Sequence, residues 1–194
     1  MVRLALAVLV ASAALAAQSR PADDKAFPRT KSFGRATIQY QDDTAHVVAL
    51  YDYSQRNHDG AWLVVQTGVS VKKRTTISRE NFQLAMLDGR MVPLPSQQTF
   101  LADSQQITKL RQNARIFDKD VKPYFPASTH TDLLRFFALP GEGTVRTLSF
   151  VLEERAVVTG DLYFKSPTLR WEAGTYRLVF DHEGGHAELP IRLE

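Results

Sequence analysis

The string His182-Glu183-Gly184-Gly185-His186 is the part of the chain that would carry the most specific chemistry. On a helix, histidines at this spacing share one face, where they bind zinc while the glutamate polarises the bound water. Two adjacent glycines disfavour a helix, and alternating strand patterns flank the string. We therefore expect a hairpin turn, with no cofactor and with His182 and His186 only as weak metal candidates. A secreted zinc-dependent hydrolase stays open as the alternative, and the backbone of residues 181–187 decides between them.

Two further strings are weaker candidates for a functional site. Ser70-Val71-Lys72-Lys73 matches the Ser-x-x-Lys of penicillin-binding enzymes, in which the serine opens a helix and the lysine reaches its hydroxyl one turn later. Ser70 instead lies near the end of an alternating stretch, and the partner strings Ser-Asp-Asn and Lys-Thr-Gly do not follow. The cluster Lys72-Lys73-Arg74 would suit an acidic glycan or lipid headgroup, but its place favours a solvated strand end that resists edge aggregation. We expect no catalytic residues and no enzyme.

Composition fits one globular domain. The chain has 194 residues, of which 44% are hydrophobic and 23% charged, and it contains no cysteine. Its formal net charge of +3 is too small for a nucleic-acid-binding surface. Without cysteine the fold has no disulfide and the chain cannot carry a lipid on an N-terminal cysteine, so packing alone must stabilise it.

The N-terminus has the pattern of a signal peptide. Met1-Val2-Arg3 is a short basic segment, an apolar run follows from Leu4, and Ala14-Leu15-Ala16 supplies the small residues that signal peptidase requires. The apolar run is too short to cross a bilayer, which takes about 20 residues. We expect cleavage near Ala16, export to the periplasm or the medium, and no transmembrane span in the mature chain.

Period-two alternation dominates the rest of the sequence. Residues 17–35 mix prolines and charges and predict a flexible lead-in, and a single domain follows over 36–194. Within it, roughly nine segments alternate with turn signals, which predicts a mainly β antiparallel sandwich. Asp88-Gly89 predicts a hairpin whose second strand, containing Pro93, lies at a sheet edge. Asn57-His58-Asp59-Gly60 predicts another turn, directly after a strand over 45–53.

One segment breaks the alternation. Over residues 95–128, Ile107, Leu110, Ala114 and Phe117 recur at helical spacing, and basic and amide residues including Arg111 and Arg115 occupy the other side. Ser104 is a suitable N-cap. We therefore expect a helical insertion in the sandwich.

The segment Glu172-Ala173-Gly174-Thr175-Tyr176 carries a family resemblance. It resembles the acidic-x-Gly-x-Tyr pattern that opens the penultimate strand of immunoglobulin-like domains, and Leu178 takes the place of their second disulfide cysteine. The strand and Asp-Gly hairpin around 81–89 are similar to those of immunoglobulin-like domains in exported bacterial proteins. The resemblance implies an immunoglobulin-like β-sandwich with a structural corner made by Glu172, Gly174 and Tyr176, and it implies binding or scaffolding, not chemistry.

We therefore expect an exported, non-catalytic binding or accessory domain whose partner is a protein or a glycan of the cell envelope. Its recognition surface is predicted on the insertion, at Tyr124, Phe125, Arg111 and Arg115, because aromatic and arginine side chains dominate binding surfaces. The competing interpretation is that Tyr124 and Phe125 clamp the insertion onto the sandwich. A self-associating structural protein of the envelope is a further alternative.

Overall fold

The computed structural model describes residues 26–139 and 147–194. The predicted signal peptide at 1–16 and the first part of the predicted lead-in lie outside these ranges. Within them, no helix has both the length and the apolar character needed to cross a membrane.

The described chain is mainly β, with sheets that pack as a sandwich. Its twelve strands are, in chain order, β1 (Thr30–Ser32), β2 (Thr37–Gln41), β3 (Ala45–Leu50), β4 (Trp62–Val71), β5 (Thr75–Ser78), β6 (Phe82–Ala85), β7 (Met91–Pro93), β8 (His130–Leu134), β9 (Ser149–Leu152), β10 (Ala156–Lys165), β11 (Gly174–His182) and β12 (Gly185–Leu193). They form a six-stranded sheet in the order β1-β2-β3-β4-β10-β8, a four-stranded sheet in the order β12-β11-β6-β7, and a ribbon of β5 and β9. The described strand pairs are antiparallel except β8 with β10, which is parallel and departs from the purely antiparallel prediction.

The hairpin predicted around Asp88-Gly89 is confirmed. Residues 57–60 also lie between two paired strands, β3 and β4, but the helix Asp52–Arg56 precedes them, so this connection is longer than the predicted turn. β6 and β7 pair around Asp88-Gly89, and β7, which contains Pro93, forms an edge of its sheet. Pro93 fits at that edge because proline has no N–H to donate to a further strand.

The central strand β4 is buried on both faces. Its odd-numbered residues, such as Leu63 and Val65, face the four-stranded sheet within the main core. Its even-numbered residues face the helical insertion, where Trp62 meets Phe100 and a Cβ on Gly68 would lie 2.5 Å from Val121. The six-stranded sheet is thus the middle layer, with the second sheet on one side and the insertion on the other.

The insertion is helical, as predicted for 95–128. The described chain has three α-helices, α1 (Asp52–Arg56), α2 (Gln97–Ala102) and α3 (Ser104–Ala114). The insertion contains α2 and α3, which are followed by single 3₁₀ turns at Arg115–Phe117 and Lys122–Tyr124. Ile107 and Leu110 are buried, as the helical spacing predicts. The N-cap prediction is wrong, because Ser104 is already helical and Asp103 occupies the cap position. The Asp103 carboxylate instead accepts a hydrogen bond from Trp62 Nε1 at 2.9 Å and pairs with Lys165, which ties α3 to the sheet.

Two other boundaries differ from the prediction. The strand predicted over 45–53 ends at Leu50, and α1 follows. On α1, the Ser54 hydroxyl donates to the Val64 carbonyl at 2.7 Å and accepts from the Val64 N–H at 3.1 Å. A serine side chain thus replaces a backbone partner at the end of the sheet. In the predicted lead-in, Thr30–Ser32 pairs with β2, so ordered structure starts before residue 36.

Hydrogen bonds to the main chain hold the corner at the start of β11. The Tyr176 hydroxyl donates to the Glu172 carbonyl at 3.0 Å and accepts from the Glu172 N–H at 3.1 Å, and its ring is 1% exposed. Gly174 has a φ of +155°, and a Cβ there would lie 2.7 Å from Leu87. The corner lies in the connection from β10, in the six-stranded sheet, to β11, in the four-stranded sheet.

Candidate functional site

A cleft of about 250 Å³ opens between α3 and the insertion-facing side of the six-stranded sheet. Its floor is formed by β4 and β10, and one wall by α1 and the residues just before it. The other wall is the end of α3 with the 3₁₀ turn that follows. Polar and aromatic side chains dominate the lining, which consists of Leu50, Tyr51, Asp52, Tyr53, Val64, Gln66, Arg111, Ala114, Arg115, Phe117, Asp118, Asp161 and Tyr163.

A hydrogen-bond relay lies on the floor. In β10, Asp161 stands opposite Gln66 and Tyr163 opposite Val64, so strand alternation turns both side chains toward the insertion. The Tyr163 hydroxyl donates to Asp161 Oδ2 at 3.1 Å, and Arg111 hydrogen-bonds to the Tyr163 side chain. Donors and acceptors are therefore aligned along the base of the cleft.

Burial controls the ionisation of this pair. It raises the pKa of Asp161, which the Tyr163 hydrogen bond partly offsets, while the charge of Asp118 adds to the increase. Burial also raises the pKa of Tyr163 well above its usual value, and the neighbouring Asp161 adds to that shift. Asp161 thus keeps a proton to higher pH than an exposed carboxyl group, and it then serves as a donor as well as an acceptor.

The charges around the cleft nearly balance. Its lining has three aspartates and two arginines. Asp52 Oδ1 pairs with Lys119 at 2.5 Å, and its Oδ2 is buried with no hydrogen-bond partner among the described residues. A site of mixed sign favours neutral or internally balanced polar ligands over polyanions or polycations.

Aromatic rings form the rim. Tyr53 on α1 and Phe117 on the 3₁₀ turn lie with ring centroids 5.8 Å apart, and Phe117 is 45% exposed. A second, more apolar pocket of about 140 Å³ lies against β8; it shares Asp161 and Tyr163 with the cleft, and Leu133 and Phe137 help to line it. An elongated ligand would therefore cross Asp161.

The four residues of the predicted recognition surface are not one surface. Arg111 and Arg115 do line the cleft, although Arg111 is half-buried and not on the solvent face of α3. Phe125 is only 6% exposed and packs with Val48, Leu50, Val121 and Val157 in a second apolar cluster, so the prediction that it is exposed is wrong.

Tyr124 is half-buried and makes an edge-on contact with Phe33 at 5.4 Å. Phe125 stacks obliquely on His46 at 4.4 Å, and its ring would lie 2.7 Å from a Cβ on Gly68. Both aromatics clamp the insertion onto the sheet, as the competing interpretation proposed.

The two histidines of the zinc-like string lie in the predicted hairpin. His182 ends β11 and pairs with Gly185, while His186 pairs with Asp181. Neighbouring pairs of an antiparallel ladder face opposite sides of the sheet, so the two imidazoles do not converge on one ion. Within the described residues, no group of three or more His, Cys, Asp or Glu side chains has the geometry to hold a metal.

Each imidazole has its own hydrogen bonds. His186 Nδ1 contacts Asp181 and its Nε2 contacts Glu188 at 3.2 Å, and these carboxylates, Asp181 foremost, raise the pKa of His186. His182 Nδ1 accepts from the Gly184 N–H at 3.1 Å.

Sequence reasoning did not identify Asp161, Tyr163, Asp52 or Tyr53 as site residues. A signal for the first two exists: β10 is a long, mostly apolar strand, and Asp161 interrupts it with a carboxyl group. A charged side chain in a strand with two buried faces needs partners or a ligand. Asp52 and Tyr53 lay within the predicted strand, and only the turn into α1 brings them to the cleft.

The chain matches no protein-family model, and no curated protein or solved structure is detectably similar to it.

Proposed function

We propose that this chain is a non-catalytic binding domain and that the cleft beside α3 binds a short segment of an envelope glycan. The observation that carries the proposal is the combination of a hydrogen-bonding floor at Asp161 and Tyr163 with aromatic rings at the rim. Sugars present rows of hydroxyl groups beside apolar C–H faces. Such a ligand needs paired donors and acceptors below and flat apolar surfaces beside it.

Shape and charge favour a glycan over a protein partner. Protein–protein interfaces bury about 800 Å² on each side and are broad, whereas this cleft is narrow and concave. Its aspartates and arginines nearly balance, and a protonated Asp161 would make the lining neutral. The second pocket, beside Leu133, provides room for a further group of the ligand.

Export is part of the proposal and rests on the pattern of residues 1–16 alone. An envelope location places the cleft where glycans are abundant. The immunoglobulin-like relationship is likewise proposed, with the hydrogen-bonded Tyr176 corner in its support.

Calorimetry with a panel of neutral and acidic oligosaccharides of three to six sugars tests the function. We expect a neutral member to bind, with affinity reduced about tenfold in Asp161→Ala, which removes both the donor and the acceptor, and about threefold to tenfold in Phe117→Ala. The matched control is Ile116→Ala, because Ile116 is 83% exposed beside Phe117 and does not line the cleft. Binding by no member of the panel, or equal affinity in all three variants, would overturn the proposal.

A further inference from the structure

The second pocket lies on the same face of the six-stranded sheet as the cleft, one strand closer to the sheet edge. Thr159, Asp161 and Tyr163 alternate along β10, so all three side chains point to the face that carries the insertion. Leu133 is the neighbour of Thr159 in the parallel pairing of β8 with β10, so it lies on that face too. Since the strand order is β4-β10-β8, the cleft lies over β4 and β10, and the pocket lies over β10 and β8.

Apolar side chains form most of the second pocket. Leu133 and Phe137 line it on the side of β8 and the residues that follow it. Ring contacts fix Phe137: it stacks on Phe100 of α2 with centroids 4.5 Å apart, and it meets Tyr163 edge-on at 5.9 Å. The apolar wall is therefore preformed next to the polar row on β10.

The size of the pocket suits a substituent better than a second sugar. Its volume is about 140 Å³, against about 250 Å³ for the cleft. A protein cavity of about 150 Å³ holds one benzene molecule. A sugar ring with its hydroxyl groups is larger than benzene, whereas an acetamido group is smaller. The hydroxyl groups of a second sugar would also face Leu133 and Phe137, which offer them no hydrogen bonds.

An N-acyl group matches both parts of this lining. Its amide N–H is a donor, its carbonyl is an acceptor and its alkyl end is apolar. Asp161 is half-buried and lines both the cleft and the pocket. Its Oδ2 accepts from the Tyr163 hydroxyl at 3.1 Å, and a carboxyl group has further lone pairs for an amide N–H. Arg135, which is exposed in the same lining, carries donors for the acyl carbonyl.

The charges of the two linings together favour a neutral ligand. The pocket adds Arg135 to the charged residues of the cleft, so the combined lining has three aspartates and three arginines. An acylated sugar nitrogen carries no charge, which agrees with this balance.

We propose that the second pocket is the subsite for an N-acyl substituent, so that the glycan bound in the cleft is built of N-acetylated sugars. This inference rests on the proposed function, because the pocket takes the substituent of a sugar that the cleft holds. The sugar ring lies over β4 and β10, its amide N–H donates to Asp161, and its methyl group lies beside Leu133 and Phe137.

Calorimetry with two neutral tetrasaccharides of the same linkage tests the subsite. One is built of N-acetylglucosamine, and the other of glucose, which has a hydroxyl group in place of the acetamido group. We expect the acetylated tetrasaccharide to bind about tenfold more tightly, because it gains one hydrogen bond and buries a methyl group.

Two leucine variants locate the preference for the acyl group. Leu133→Ser should reduce that preference about threefold to tenfold and leave the affinity for the glucose tetrasaccharide unchanged, because only the apolar wall is altered. Leu148→Ser is the matched control: Leu148 is 62% exposed, as Leu133 is, but it is not among the residues that line the pocket. Both side chains are largely in water, so neither substitution should disturb the core.

The outcomes separate this inference from the proposed function. Binding by no oligosaccharide of the panel overturns the proposed function. Equal affinity for the two tetrasaccharides, tighter binding of the glucose tetrasaccharide, or binding of other panel members alone overturns the acyl subsite and leaves the glycan cleft standing. A preference that Leu133→Ser leaves unchanged, or that Leu148→Ser reduces equally, would also overturn the subsite.

Discussion

Replacing Phe125 by alanine tests whether the insertion is held to the sheet by this side chain. Phe125 is 6% exposed, and Phe→Ala changes in protein cores cost about 3–5 kcal/mol in the free energy of unfolding. The residue beneath the ring is Gly68, whose missing side chain cannot move into the space that the ring leaves. Because the cavity relaxes poorly, we expect a loss of about 3–4 kcal/mol.

Phe117 is the matched control. It is also a phenylalanine of the insertion, but it is 45% exposed and contacts Tyr53 at the rim of the cleft. Phe117→Ala should cost less than about 1 kcal/mol of stability while it weakens ligand binding. The two substitutions therefore separate the clamp from the recognition surface.

Equilibrium unfolding in urea measures both values. The buried residues Trp62 and Trp171 report unfolding by fluorescence, and circular dichroism gives a second probe. Gly68→Ala adds a coupling test: a Cβ there would meet Phe125 at 2.7 Å, so the double variant with Phe125→Ala should lose less stability than the sum of the single losses. A cost below about 1.5 kcal/mol for Phe125→Ala, or an equal cost for Phe117→Ala, would refute the clamp.

Three further predictions concern stability. Tyr176→Phe should lower the free energy of unfolding by about 1–3 kcal/mol, because the N–H and C=O of Glu172 lose their partner; an unchanged urea midpoint would contradict this. Burial lowers the pKa of His46 to about 4, so the folded state resists protonation of this ring. The free energy of unfolding should therefore fall by about 1 kcal/mol, allowing for partial exposure of the ring, as pH falls from 6.5 to 4. In His46→Phe, a plot of urea midpoint against pH should be flatter over that range. His186 should give the opposite pH dependence of stability, because its pKa is raised, chiefly by Asp181. The stabilisation by His186 is present below pH 6.5 and is lost as pH rises through the folded pKa. His186→Gln should remove that decline in the urea midpoint.

The fold was predictable where short-range physics decides it. Alternation identified the strands that pack into the main core, and Asp88-Gly89 and the histidine string marked hairpins because glycine accepts the turn. Helical spacing placed Ile107 and Leu110 against the sheet. These signals depend only on neighbours along the chain.

The site was predictable only in part, because it depends on contacts between distant segments. Arg111 and Arg115 were predicted for the recognition surface and line the cleft, but the residues of β10 and α1 that line it with them come from far along the chain. Phe125 follows a proline-bearing loop and looks exposed in sequence. Its burial depends on Gly68, which leaves a hollow in the face of β4.

The position of Asp161 links the fold to the proposed function. A carboxyl group in the middle of β10 is costly, since the strand is paired on both sides and burial limits the access of Asp161 to water. A purely structural strand would have an apolar residue there, opposite Gln66. The cost is tolerated if Asp161 binds something, so Asp161→Leu should raise the free energy of unfolding while it abolishes glycan binding, measured by urea unfolding and calorimetry. If Asp161→Leu instead destabilises the chain, the carboxyl group serves the fold through Tyr163, and the cleft loses its main support as a binding site.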